Sequence, residues 1–223
     1  MFEKKNKMLM GHAVIFDMDG VIADSEVWNT QALIRLAQEK GIEIDGSYCS
    51  KFAGLTHHRI WEKLKENYHL PENTDSYVEQ YFALRNKMVA ENGGIHPMEG
   101  VVDLIRCLNV RKVTLAIASG SSPEDIKKYI TDFGISDCFQ TVVSGCECKK
   151  GKPDPEIYLR VAEKIGYDPG KCIVIEDSVN GMKAAKAAGM YCIGYVGKHS
   201  FTKNLSYADR IIHHFDELRK EVE

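Results

Sequence analysis

The sequence contains no apolar run long enough to span a membrane, no excess of positive charge, no internal repeat and no low-complexity stretch. Each absence removes a class of function. A transmembrane helix needs about 20 consecutive apolar residues, so no membrane partner is expected. The early cluster Met8-Leu9-Met10 is too short for the hydrophobic centre of a secretory signal. With 29 Lys and Arg against 32 Asp and Glu, and a net charge of −3, the chain offers no basic field for nucleic acid. Its seven cysteines are an odd number, and Cys107, Cys172 and Cys192 lie in apolar settings, as reduced thiols do in a cytoplasmic protein. Cys146 and Cys148 form the one close pair. With one residue between them, no second pair and no nearby histidine, they argue against a zinc site.

What remains is a globular chain of 223 residues, 44% hydrophobic and 27% charged, with room for one large domain or a core carrying an insertion. Its strongest signal is Ala13-Val14-Ile15-Phe16-Asp17-Met18-Asp19-Gly20. The unbroken apolar run predicts a central strand covered on both faces of a parallel sheet. Asp17 and Asp19 then stand at its carboxyl end, where open α/β sheets bind ligands. Two carboxylates so placed repel each other and are costly to desolvate, so a bound cation is their natural compensation. Gly20 permits a sharp turn and a close approach to a ligand.

From Trp28 to about Gly94 only helical periodicities are found: Trp28 to Ala37 closing at Gly41, Arg59 to Tyr68, and Tyr77 to Glu91. Residues 28–96 therefore read as a small helical domain inserted into a core of residues 11–27 and 97–223. Within it, the polar loop Ala53-Gly54-Leu55-Thr56-His57-His58-Arg59 abuts a helix start and offers His57, His58 and Arg59 as cleft-facing candidates. Strands are then expected at 113–118, 140–143, 172–175, 191–196 and 208–213, with helices between them. This alternation defines a doubly wound parallel sheet with right-handed crossovers.

Polar residues gather at the carboxyl ends of these strands. Ser119-Gly120-Ser121-Ser122-Pro123 carries the N-cap serine and N1 proline of a helix start, and its free N–H groups suit an oxyanion. Lys152 lies in Gly151-Lys152-Pro153-Asp154-Pro155, where two prolines stiffen the loop. Glu176-Asp177-Ser178 ends the fourth strand. Carboxylates from two strands make an oxygen cage suited to Mg²⁺, and the serine, amides and lysine suit the remaining oxygens of a phosphoryl group.

Asp17-Met18-Asp19-Gly20, Ser119, Lys152 and Glu176-Asp177, in that order, resemble the four motifs of the haloacid dehalogenase-like (HAD) hydrolase superfamily, in the branch with a helical cap after the first motif. The resemblance spans about Ala13 to Val196. It implies a Rossmann-like α/β core and an aspartyl-phosphate mechanism, with Asp17 as nucleophile and Asp19 as general acid and then base. It further implies Mg²⁺ held by Asp17, the backbone carbonyl of Asp19 and Asp177, with Glu176 a ligand or a partner behind the ligands. Ser119, Gly120 and Lys152 would bind the phosphoryl oxygens, and His57 and Arg59 the substrate. The aspartate at position 19 is not a dehalogenase feature, and the loop Leu55-Thr56-His57-His58 lacks the lysine of a phosphonoacetaldehyde hydrolase. Asn29, Ala53 and His57 stand where β-phosphoglucomutases carry histidine, lysine and arginine. The expectation is a Mg²⁺-dependent phosphatase of a small phosphorylated metabolite, a sugar or polyol phosphate, with a phosphomutase as the alternative and a non-catalytic phosphate-binding protein as a more distant one. The composition is compatible with a monomer.

Overall fold

The structure, a computed structural model, describes residues 8–52, 55–197 and 205–222. Six strands form one parallel sheet: β1 (Ala13–Phe16), β2 (Leu115–Ser119), β3 (Thr141–Ser144), β4 (Cys172–Glu176), β5 (Tyr191–Tyr195) and β6 (Arg210–Ile212). Their spatial order is β3-β2-β1-β4-β5-β6, so the chain runs outward one way from β1 and then back past it to β4. The reversal falls beside β1, and crevices open at such points. Registers Phe16↔Ile117, Phe16↔Ile175 and Ser119↔Ser144 bring the carboxyl ends of the inner strands to one level.

Every residue of β1, β2 and β4 is buried. Alternate side chains serve two cores, which explains the unbroken apolar runs. Val14, Phe16, Ile117, Ile173 and Ile175 pack on one face with α5 (Val101–Val110), α6 (Pro123–Asp132) and α9 (Asp216–Val222). Ala13, Ile15, Ala116, Ala118 and Val174 pack on the other with α7 (Glu156–Ile165) and α8 (Val179–Ala187).

A third apolar cluster stands apart from the sheet. It joins α1 (Glu26–Glu39), α2 (Gly46–Cys49), α3 (His57–Tyr68) and α4 (Thr74–Glu91) through Leu33, Leu36, Trp61, Leu64, Tyr77 and Tyr81. The chain leaves the sheet and returns to it side by side. Asp24 N–H donates to His96 O at 2.9 Å and Met98 N–H to Ile22 O at 2.9 Å, an antiparallel bridge centred on Ala23 and Pro97.

Element ends differ from expectation where caps decide them. Helix α3 starts at His57 rather than Arg59 because Thr56 Oγ1 accepts from Arg59 N–H at 3.3 Å. Helix α4 starts at Thr74 rather than Tyr77 because Asn73 accepts from Ser76 N–H at 2.7 Å. Single-turn α2, capped by Asp45, is too short to show a period. Strand β2 begins at Leu115 and β6 spans three residues. Ala53 and Gly54 of the histidine-containing loop lie outside the described residues.

Candidate active site

Adjacency of β1 and β4 sets the first contacts. Asp17 N–H donates to Ile175 O at 3.0 Å, continuing the ladder one residue past β1, so Asp17 emerges beside Glu176 and Asp177. Gly20 has φ of +78°, and a β-carbon there would lie 2.2 Å from Asp177 Oδ2. The turn after β1 thus packs directly on Asp177, and no side chain fits between them.

Lys152 reaches into this group from the loop before α7. It is 2% exposed, and its Nζ donates to Asp17 Oδ1 at 2.5 Å, Glu176 Oε1 at 2.7 Å and Ala118 O at 3.3 Å. Glu176 is fully buried and has both oxygens engaged. Oε1 also accepts from the Tyr158 hydroxyl at 3.3 Å, and Oε2 accepts from Ser178 N–H at 2.6 Å. Both oxygens of Glu176 are thus taken up by these donors, and the carboxylate stands beside Lys152 as its counter-charge. Space for it exists only because position 181 on α8 is glycine: a β-carbon there would sit 1.6 Å from Glu176 Oε1.

Asp19 meets hydroxyls and an amide instead of a cation. Oδ1 accepts from Ser25 Oγ at 2.5 Å and Asn29 Nδ2 at 3.1 Å; Oδ2 accepts from Ser119 Oγ at 3.5 Å and from the Ser121 hydroxyl. Ser25 occupies the N-cap of α1 yet caps nothing, because its hydroxyl is turned to Asp19. Ser119 Oγ accepts from Ser121 N–H at 3.0 Å, which folds the Ser119-Gly120-Ser121 turn over the strand end. Two carboxylates two residues apart therefore occupy unlike surroundings.

Burial pushes the Asp17 carboxyl well above the usual carboxylate range; Lys152 opposes this, and Glu176 and Asp19 add to it. Burial, then Glu26, Glu176 and Asp17, raise Asp177 in the same way. Glu26 is pushed up to about 8 by burial and by Asp19, Glu176 and Asp24. For Lys152, burial disfavours the charge, but Asp17 and Glu176 outweigh it and hold the ammonium charged. Acids thus outnumber the cation that offsets them, and the upward shifts at Asp17 and Asp177 reflect that imbalance. Among the described residues no three Asp, Glu, His or Cys side chains converge as a ready-made metal cage. A hard divalent cation that draws on two carboxylates, a main-chain carbonyl, waters and substrate oxygens needs none. Asp17 and Asp177, beside the turn that carries Asp19, fit that donor set and would be relieved of their excess charge by it.

The helical unit overlies Asp19. Tyr81 of α4 donates to Asn29 Oδ1 at 3.2 Å, and His57 lies against Tyr81 and Phe82, with ring centroids 4.4 and 5.0 Å apart. Burial lowers the His57 pKa to about 4; Asp19 and Asp125 oppose the shift and Arg85 adds to it, so the imidazole is neutral. Arg59 and His58 are not brought to the cluster. The Arg59 guanidinium binds Glu62 Oε2 at 2.8 Å and Lys149 O at 3.3 Å at the exposed edge, because Glu62 stands one turn along α3. His58 faces Glu62 and Asp75 at 3.4 and 3.3 Å. Sequence reasoning did not single out Ser25, Ser121 or Tyr158 for the site. Ser121 was within reach, as part of a hydroxyl-rich turn at a strand end. Tyr158 was not, since its spacing on α7 is that of any core aromatic.

A parallel α/β sheet whose strand ends gather acids around one buried lysine, beneath an inserted set of helices, defines a class of capped α/β enzyme. Within that class the chain belongs to the haloacid dehalogenase-like hydrolase family, whose model matches residues 14–195. It is 32% identical over 213 residues to a bifunctional riboflavin kinase/FMN phosphatase of Arabidopsis thaliana, an alignment covering 95% of this chain and 55% of that protein. The chain thus spans about half the length of that relative. It is 31% identical over 184 residues to hexitol phosphatase B of Escherichia coli K12, covering 81% of this chain and 82% of the other. Among solved structures it resembles CbbY from Rhodobacter sphaeroides in complex with phosphate, with a TM-score of 0.79, 25% identity and coverage of 93% and 96%. No helix of the described residues is long and apolar enough to cross a membrane.

Proposed function

We propose that this protein is a Mg²⁺-dependent phosphatase of small phosphomonoesters, a sugar or polyol phosphate, acting in the cytoplasm. The observation that carries this reading is the contrast between the two aspartates: Asp17 is paired with a buried lysine, and Asp19 is held by neutral donors. Asp17 attacks phosphorus and takes the phosphoryl group as a mixed anhydride while the substrate's ester oxygen departs. Asp19 gives that oxygen its proton, then accepts one from the water that hydrolyses the aspartyl-phosphate. Lys152, held in place by Glu176 and Tyr158, offsets the charge gathered on the phosphoryl oxygens, and Ser119 with the amides of its turn binds them. Asp17, Asp177 and the Asp19 carbonyl hold Mg²⁺, which when bound supplies further charge neutralisation. Residues 28–96 act as a cap that excludes bulk water, with His57, Tyr81 and Asn29 facing the leaving group.

The family resemblance keeps phosphomutases as neighbours, and Asn29 argues against that chemistry because a neutral amide cannot serve as a general acid or base. Phosphate release from a panel of sugar and polyol phosphates, with and without Mg²⁺, is the test. Activity that needs Mg²⁺ and vanishes in Asp17→Asn is expected. Conversion of β-glucose 1-phosphate to glucose 6-phosphate in the presence of glucose 1,6-bisphosphate, without free phosphate, would overturn it, as would an inert protein.

A further inference from the structure

Asp17, Ser119, Lys152 and Asp177 are each no more than 5% exposed. A phosphorylated metabolite therefore reaches them only when the helices of residues 28–96 lift away from the sheet. Those helices are tied covalently through the paired segments at Ala23 and Pro97. What holds them down must be breakable.

A charged and largely enclosed contact across the seam is Arg85 with Asp125, whose side chains are 3% and 14% exposed. Arg85, on α4, is 2% exposed, and its guanidinium grips Asp125 of α6 at two points, Nη2 to Oδ1 at 2.8 Å and Nη1 to Oδ2 at 3.0 Å. Its Nε and Nη2 also donate to Asn86 Oδ1 at 3.2 and 2.8 Å, and its carbon lies 5.0 Å over the Phe82 ring. Asp125 stands in the first turn of α6, three residues after the Ser122 that caps it and just beyond the Ser119 turn. Two further cross-seam bonds, Arg59 to Lys149 O and Asn180 to Lys51 O, are exposed, and Asn29 to Asp19 is partly buried. One turn before Arg85, Tyr81 donates to Asn29, and Asn29 donates to Asp19.

We propose that Arg85 and Asp125 form a reversible latch between α4 and α6, and that Arg85 is thereby a positioning residue for Asp19 through Tyr81 and Asn29. The inference rests on the phosphatase reading for its kinetic consequences and on the geometry alone for its structural ones. A charged pair suits a latch better than an apolar contact does. An apolar patch uncovered by opening loses its whole burial energy, whereas the two ions regain hydration that roughly balances their attraction. The pair then holds the closed form without making opening slow.

The test pairs scattering with kinetics. Arg85→Met and Asp125→Asn each leave one ion at the seam without its partner, so the free protein should open, raising its radius of gyration in small-angle scattering. Each should lower kcat/KM about tenfold, with kcat falling as Asp19 loses its positioning. The double variant Arg85→Met/Asp125→Leu should close again, with the radius of gyration returning to the parent's. Singles that scatter like the parent at equal thermal stability, or a double variant as open as the singles, would overturn the latch. If Arg85→Met does not fold, Arg85→Lys keeps the charge but loses the two-point grip; a shift in the same direction is expected, and none overturns the proposal. A parent that releases no phosphate from any substrate sinks the phosphatase reading while leaving scattering to decide the latch.

Discussion

Gly181 is where the residue scale is most telling. Inside a helix, glycine costs about 0.5–1 kcal/mol relative to alanine, so Gly181→Ala on α8 should stabilise the protein if only propensity counted. The β-carbon would instead occupy the place of the Glu176 carboxylate. Displacing Glu176 removes the counter-charge of Lys152 and the acceptor for Ser178 N–H and Tyr158. Gly181→Ala is therefore expected to cost about 2 kcal/mol of stability, in the range of overpacked cores, and to lower kcat about a hundredfold through the misplaced lysine. Thermal melts with steady-state phosphate release check it, and a stabilised, fully active variant refutes the account. That Asp17, Ser119, Lys152 and Asp177 converge was legible in the sequence, because charged or hydroxyl side chains directly after apolar strands stand out. That Glu176 pairs with Lys152 was not, since the room for its side chain is set by a glycine on the next helix. Arg85 was equally hidden: its partner lies 40 residues away, and its position on α4 reads as one more charge on a helix.

Among elements, the strands were easier to place than the helix starts. Burial on both faces writes an unbroken apolar run, and β1, β2 and β4 obey it at every residue. The starts of α2, α3 and α4 each depend on one side-chain hydrogen bond, and Asp45, Thr56 and Asn73 lie upstream of the first periodic residue, so periodicity alone set α3 and α4 too late and missed α2. Such caps have a measurable worth. Asn73 sits on the surface at the start of α4 and accepts a single bond, from Ser76 N–H. Its replacement by alanine should lower stability by about 1 kcal/mol, read by denaturant unfolding, while leaving kcat/KM unchanged, because Tyr81 and Arg85 lie about two and three turns further along α4. A large kinetic effect would mean that the first turn of α4, rather than the turn that carries Arg85, controls the fit of the cap.

At the scale of the whole molecule, the seam between cap and core decides how the protein meets acid. His57 lies on that seam, packed on Tyr81 and Phe82, with Asp19, Arg85 and Asp125 as the charges that act on it. Its folded pKa of about 4 is below the value of 6.5 that it has when free of the fold. Between those two values the unfolded chain binds a proton that the folded chain refuses. The stability that comes from a neutral His57 is thus fully present above about pH 6.5 and is lost as pH falls toward 4. Because the ring is only partly covered, solvent screening reduces the effect to about 2 kcal/mol. His57→Gln keeps a polar side chain of similar reach and cannot protonate. Melting curves from pH 8 to pH 4.5 should therefore show a shallower decline in the variant than in the parent, with the two lines parallel above pH 7. Parallel lines throughout would mean that the imidazole is already hydrated in the closed form, and that the cap sits more loosely on Asp19 than its ring contacts imply.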